Sequence, residues 1–215
     1  MGYRNTSAAA VLIAVMTMSS CAAPPGQDDR PSATSQPAQW STYTTADGQL
    51  AFEYPSSWSV SAVEPLANDP DGGVSVRVRD GAGRIIAALD TGLIVGQECS
   101  PPAEPSRYTE YEARAMPELT AAAGTQQRFV YHSVDPAEGP SKATYAVVSG
   151  AEETGQCGLF DFFRFTESSG GRFMGEFVSG QPPESPEFLE EAAAYPQTEE
   201  YRDVLRMLTS LRNAG

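Results

Sequence analysis

The sequence predicts an α+β domain, an antiparallel β-sheet packed by a C-terminal helix. Three observations predict it. Short runs of alternating apolar and polar residues recur from Trp40 to Ser179, separated by Gly, Pro and Ser clusters, as antiparallel strands require. The surest run of apolar residues at helical spacing comes after these strands, in Tyr201, Val204, Leu205, Leu208 and Leu211. Strands first and helices last place the sheet and its covering helix in one layered domain over residues 40–215.

The chain opens differently. Met1 to Asn5 carries one positive residue, Arg4, and Ala8 to Met16 reads AAAVLIAVM without a polar interruption. A charged start, an apolar middle and small residues after it describe a secretory signal over residues 1–20. The apolar run is about half of the ~20 residues that a membrane-spanning helix needs. It is followed by Met18-Ser19-Ser20-Cys21, which resembles the lipobox of bacterial lipoproteins. There a hydrophobic residue and two small ones precede the cysteine that is diacylated and becomes the first residue. The family most often has Leu where this chain has Met18. The resemblance implies lipidation at Cys21, export, and anchorage to the outer face of the cell membrane. Two or three acyl chains, at about 0.8 kcal/mol per buried CH₂, hold a protein firmly where one does not. Ordinary secretion is the alternative, because Ser20-Cys21-Ala22 also has the small-x-small form of a general cleavage site.

Residues 21–39 then form a lipidated cysteine and a disordered tether. Ala22 to Gln39 reads AAPPGQDDRPSATSQPAQ, rich in Pro, Ser and Ala and without apolar periodicity. Semi-extended, such a segment would hold the domain on the order of 50 Å from the membrane.

The strands follow in order. Asp47-Gly48 is a hairpin turn between Tyr43-Thr44-Thr45 and a run in which Leu50, Phe52 and Tyr54 alternate with Ala51 and Glu53. Pro55 stops that ladder, and Trp58 to Val63 resumes an extended segment. Val74 to Arg79 alternates valines inward with arginines outward. Further extended candidates are Arg84–Val95, Gln126–Val134, Lys142–Ser149, Gly158–Glu167 and Arg172–Ser179. Ser106 to Ala123 is ambiguous, because Tyr108, Tyr111 and Ala115 fit a helix while Pro117 would break it. Ser185-Pro186-Glu187 opens a short helix over Phe188 to Tyr195 that Pro196 ends. Thr198 caps the final helix, with Glu199 and Glu200 in its favourable first turn.

Asp47-Gly48, Phe52-Glu53-Tyr54-Pro55 and Trp58-Ser59-Val60 resemble the opening of the PsbP-like α/β domains, and Val204 to Leu211 is similar to that family's closing helix. The resemblance covers roughly 30 residues. It implies a domain like those of photosystem assembly subunits, a Ran-binding nuclear factor and mycobacterial lipoproteins of the LpqN type. A shared fold does not fix a function. Phe52, Tyr54 and Trp58 also read simply as large side chains that pack the first strand against the last helix.

Composition bounds the functions. The 215 residues carry a formal charge of −14, and loss of Arg4 with the signal makes the mature chain more acidic still. Such an excess argues against nucleic acid or an anionic lipid surface as a partner. The single lysine, Lys142, among 14 basic residues and the abundance of Ala suit a high-GC actinobacterial source. With Cys21 taken by the anchor, Cys99 and Cys157 remain as an even pair bound for an oxidising compartment, and a disulfide between them is expected. Closing that loop would stabilise the fold by about 4 kcal/mol.

Chemistry is sparse. His132 is the one histidine, so two-histidine zinc sites are impossible; on the face of Val130 and Val134 it reads as a satisfied or half-exposed sheet residue. No nucleophile elbow or P-loop occurs, Gly81-Ala82-Gly83 reads as a hairpin turn, and Asn68-Asp69-Pro70-Asp71-Gly72 lacks the later ligands of a calcium loop. No cofactor is expected. Gly158 to Phe165 is the most unusual segment, apolar on both faces except at Asp161 and Arg164, and reads as a strand buried on both sides. If buried, those two charges need partners such as Arg172 or Glu176. The functional alternative is a ligand pocket formed by Phe160, Asp161, Phe162 and Arg164. Three functions remain. The first is a non-catalytic, monomeric envelope lipoprotein that binds an envelope protein or a cell-wall partner. The others are a carrier of a lipid or other hydrophobic ligand, and a hydrolase working through two carboxylates.

Overall fold

A computed structural model describes residues 39–66, 72–94, 106–119, 126–150, 161–164 and 169–215. They belong to one compact unit, Pro37–Gly215. Cys21, Cys99, Cys157, Phe160 and the tether lie outside the described residues, and so do most of Asn68–Gly72.

β1 (Trp40–Thr44) and β2 (Leu50–Pro55) form the expected hairpin, with Tyr43 opposite Phe52. Its turn is built by Asp47, whose carboxylate accepts from the Thr45 hydroxyl at 2.6 Å and from the Gln49 amide at 3.1 Å. Gly48 supplies the positive φ of 70° that the turn needs. The last two paired residues of the chain, β11 (Arg212–Asn213), return to the other edge of β2.

The larger sheet contains eight strands, all antiparallel to their partners. They are β3 (Ser59–Val63), β4 (Ser75–Arg79), β5 (Ile85–Ile94), β6 (Arg107–Ala115), β7 (Gln127–Asp135), β8 (Lys142–Ser149), β9 (Phe163–Arg164) and β10 (Ser169–Glu176). The spatial order is β3-β4-β5-β10-β8-β7-β6, with β9 against β10. Arg84 and the two glycines of Gly81-Ala82-Gly83 close the β4–β5 hairpin as expected, with Asp80 accepting from the Ala82 and Arg84 amides at 2.9 Å each.

The ambiguous stretch after Ser106 is a strand, not a helix. Pairing with β7 outweighs the local helical spacing, and a bulge between Glu110 and Glu112 lets the segment serve both faces. Tyr108 and Glu110 stand on one face with His132, whereas Tyr111 packs on Tyr131 across the other, with ring centroids 5.1 Å apart. The aromatic stretch also differs from expectation. Within its described part the strand is two residues long, Phe163 is buried and Arg164 is exposed.

Both helices start where the sequence places them. α1 (Pro186–Ala194) has Ser185 as its N-cap and Pro186 at its first position. A 3₁₀ turn, Tyr195–Gln197, leads into α2 (Glu199–Thr209), where Thr198 Oγ1 accepts from the Tyr201 amide at 3.1 Å. Tyr201, Val204, Met207 and Leu208 of α2 are buried against one face of the sheets with Phe52, Phe129, Tyr131 and Phe173. This core is aromatic and its hydroxyls are satisfied. Tyr131 donates to the Ala192 carbonyl at 2.8 Å, Tyr145 to Ile86 at 2.7 Å, and Tyr201 to Glu112 at 2.7 Å. Burial raises the pKa of all three phenols, which keeps them neutral donors. Among the described residues no helix is long and apolar enough to cross a membrane.

Candidate functional site

The face of the large sheet opposite α2 is built from the alternate residues of the same strands. Its centre is a small apolar strip, Val130, Ala146 and Val148, with Met174 against it. Around the strip the residues are polar. Across four strands the register aligns Glu110, His132, Thr144 and Glu176 in one row. At the other end Asp90, fully buried, accepts from Ser75 Oγ at 2.7 Å and from Arg77 Nη1 at 2.9 Å, and lies 3.5 Å from Arg172 Nη2. Two cations and a hydroxyl around one carboxylate compensate its loss of water.

His132 is the least compensated group of the face. It is 1% exposed, its ring lies 5.2 Å from that of Tyr108, and among the described residues Nδ1 has no hydrogen-bond partner. Its Nε2 is 3.7 Å from Asp161 Oδ1, too long for a hydrogen bond. That oxygen is also buried and without a partner among the described residues, as is Arg172 Nε. Burial pushes the imidazole down to about 4, with Glu110 opposing and Arg128 reinforcing the shift. Burial likewise raises the Asp161 carboxyl to about 7, with Arg172 opposing and Glu176 reinforcing. Glu110 is held by Arg128 Nη1 at 2.7 Å. Burial thus holds the imidazole towards its uncharged form and the facing carboxyl towards its protonated one.

The short segment before and within β9 brings Asp161 there. The Phe162 carbonyl accepts from the Ser149 amide at 3.0 Å, the Arg164 amide donates to Ser149 Oγ at 2.8 Å, and Gln127 Nε2 donates to the Arg164 carbonyl at 2.9 Å. β9 thus inserts beside the end of β8, where Phe163 sits over Gly171; a Cβ on that glycine would come within 2.7 Å of the ring.

Of the pocket residues expected from sequence, Asp161 joins the site and Phe162 is half-buried next to it, while Arg164 points its exposed side chain elsewhere. Arg172, a foreseen partner of Asp161, pairs with Asp90 instead and acts on Asp161 only at longer range. His132 is buried, not half-exposed, and among the described residues its Nδ1 is not satisfied. Its role, and those of Tyr108 and Glu110, were not visible because each depends on which strands are neighbours.

One groove of about 520 Å³ lies elsewhere, between the end of α2 and β2, with Glu53, Met116, Glu118, Ser210 and Arg212 among its walls. Glu53 is already engaged by Arg206 at 2.9 Å. Among the described residues no cluster of three histidine, cysteine or acidic side chains has the geometry to hold a metal ion. Compared with protein-family models, with curated proteins and with solved structures, the chain matches none.

Proposed function

We propose that this chain is an exported envelope lipoprotein with a PsbP-like domain, anchored through Cys21, and that the domain is a non-catalytic module binding an envelope partner through the second face of its large sheet. One observation carries the choice of face. Buried polar atoms that find no partner are rare in folded proteins, and three that find none among the described residues, on His132, Asp161 and Arg172, occur together here. The helix-covered face offers no comparable opportunity among the described residues, because the buried phenols of Tyr131, Tyr145 and Tyr201 are bonded and its interior is filled by Phe52, Phe129, Phe163 and Phe173. That filling supports a surface-binding module over a carrier with an internal lipid cavity. The acidic excess of the chain favours a neutral or cationic partner over an anionic one.

Site-specific photocrosslinking in cells tests the reading. A photoreactive phenylalanine analogue at Glu176, exposed at the rim of the second face, should give a discrete adduct. The same probe at Glu190, exposed on α1, should not. Adducts from neither position, or the same adducts from both, would overturn it.

A further inference from the structure

We propose that the outer edge of β3 is a self-pairing site, where two copies of this chain join their large sheets antiparallel about a two-fold axis through Ser61. The pairing departs from the monomer expected on sequence. It uses a strand that the row from Glu110 to Glu176 does not reach, and it is independent of the partner proposed for the second face.

β3 ends the large sheet and pairs only with β4. Which of its backbone groups face outward follows from the ladder. The Thr91 amide donates to the Val74 carbonyl at 2.9 Å, so the adjoining pair, Ser75 and Asp90, is not hydrogen-bonded through its own backbone. Ser75 therefore turns its amide and carbonyl to Val63 of β3, and alternation along the strand turns those of Ser61 and Ser59 inward as well. The amides and carbonyls of Val60 and Ala62 point away from the sheet. Among the described residues they have no hydrogen-bond partner.

Proteins ordinarily blunt such edges with charge, bulges or brevity. β6, at the other end of the sheet, carries Arg107, Glu110, Glu112, Arg114 and a bulge, and β11 is two residues long. β1 starts at Trp40, with the Arg206 guanidinium stacked 3.9 Å from its ring. β3 reads SVSAV, without charge or bulge, and all of it but Val60 is exposed. In a chain of formal charge −14, an uncharged edge is where two copies approach at least electrostatic cost. The strand also matches its own reverse, as a two-fold contact requires. About Ser61, each Val60 faces the second copy's Ala62, and their outward amides and carbonyls bond in both directions. Ser61 faces itself as a non-hydrogen-bonded pair, where Cα atoms approach to about 4.5 Å and a small side chain fits. On β4, Arg77 is bound to Asp90 and Arg79 to the Gly83 carbonyl, so both cations turn towards β5 and its hairpin, away from the seam.

A seam one strand long is small beside the roughly 1,000 Å² of a stable interface, so the pair is reversible and is read by trapping it. In the full-length protein in detergent, Ser61→Cys sets two Cα atoms about 4.5 Å apart across the axis, within disulfide range. Ser59→Cys, equally exposed and on the same face, leaves its two thiols about 13 Å apart along the strands. Under mild oxidation S61C should form a covalent dimer at least about tenfold faster than S59C, above the background set by the wild type's own cysteines. Ala62→Pro added to S61C removes an outward N–H that bonds nothing in the sheet, a place where an edge strand tolerates proline, and trapping should fall to the S59C rate. Equal trapping of S61C and S59C would overturn the pairing, and so would trapping of S61C that the proline leaves unchanged. The comparison of S61C with S59C needs no proline, so it decides the matter even if A62P fails to fold. Neither outcome touches the crosslinking test of the second face.

Discussion

Folding transfers a proton within one pair of residues. In the unfolded chain between about pH 4 and 6.5 the proton sits on the histidine, whereas in the folded protein His132 is pushed down to about 4 and Asp161 up to about 7, so the proton sits on the carboxyl. The two linkages have opposite signs. His132 binds fewer protons folded than unfolded, so its contribution to stability rises with pH over that window. Asp161 binds more, so its contribution is complete below about 3.8 and is lost as pH climbs to about 7. Each slope approaches about 1.4 kcal/mol per pH unit, and in the intact pair they offset each other. Removing one partner exposes the other. Urea unfolding at pH 4.5, 5.5 and 6.5 should show Asp161→Asn gaining stability with pH relative to wild type, and His132→Gln losing it. Parallel profiles in all three proteins would mean that the two groups keep their ordinary proton affinities.

At the scale of elements, what was legible in the sequence is what local chemistry decides. The start of α2 is written in Thr198, Glu199 and Glu200, which act within one turn, and the hairpin at Asp47-Gly48 is likewise closed by its own residues. β6 was not legible, since its helical spacing yields to a ladder with β7 that only the fold provides. Nor was the demand on Gly175 in β10. A Cβ there would lie 2.0 Å from the Ile86 carbonyl oxygen and 2.5 Å from the Tyr145 ring, because that ring crosses β10 to donate to the same carbonyl. Neither the backbone of β5 nor a buried tyrosine can yield that distance cheaply. Gly175→Ala should therefore cost about 3 kcal/mol, unusually much for a one-carbon addition in a strand, and thermal unfolding reads it. A loss under about 0.5 kcal/mol would show that β10 has room to shift. Tyr145→Phe in the same background should recover none of the loss, because the ring and not the hydroxyl makes the clash.

At the scale of the whole molecule, the α+β class was legible, while the division into a three-stranded and an eight-stranded sheet was not. Its causes are long-range. β10 pairs between β5 and β8 although more than thirty residues of chain, including β6 and β7, intervene between β5 and β8, and β11 closes on β2 from the opposite end of the sequence. Site legibility divides in the same way: Asp161 stands out as a charge in an apolar run, but only the neighbouring strands make a site of it with His132. The address proposed for the molecule is a separate matter, since that proposal rests on the residues before Trp40. If Cys21 holds the protein through acyl chains, the domain itself needs no membrane affinity, and its acidic surface gives it none for anionic lipid. Wild type should then fractionate with membranes and resist high salt, since apolar insertion is not screened as surface charge attraction is. On that proposal Cys21→Ala loses the thiol to which the lipid would be joined. It should move to the soluble fraction or the medium while keeping the hydrogen-exchange pattern of the folded domain. Retention of C21A in the membrane through a salt wash would place the attachment elsewhere in the chain and would detach the second face's proposed partner from any fixed height above the bilayer.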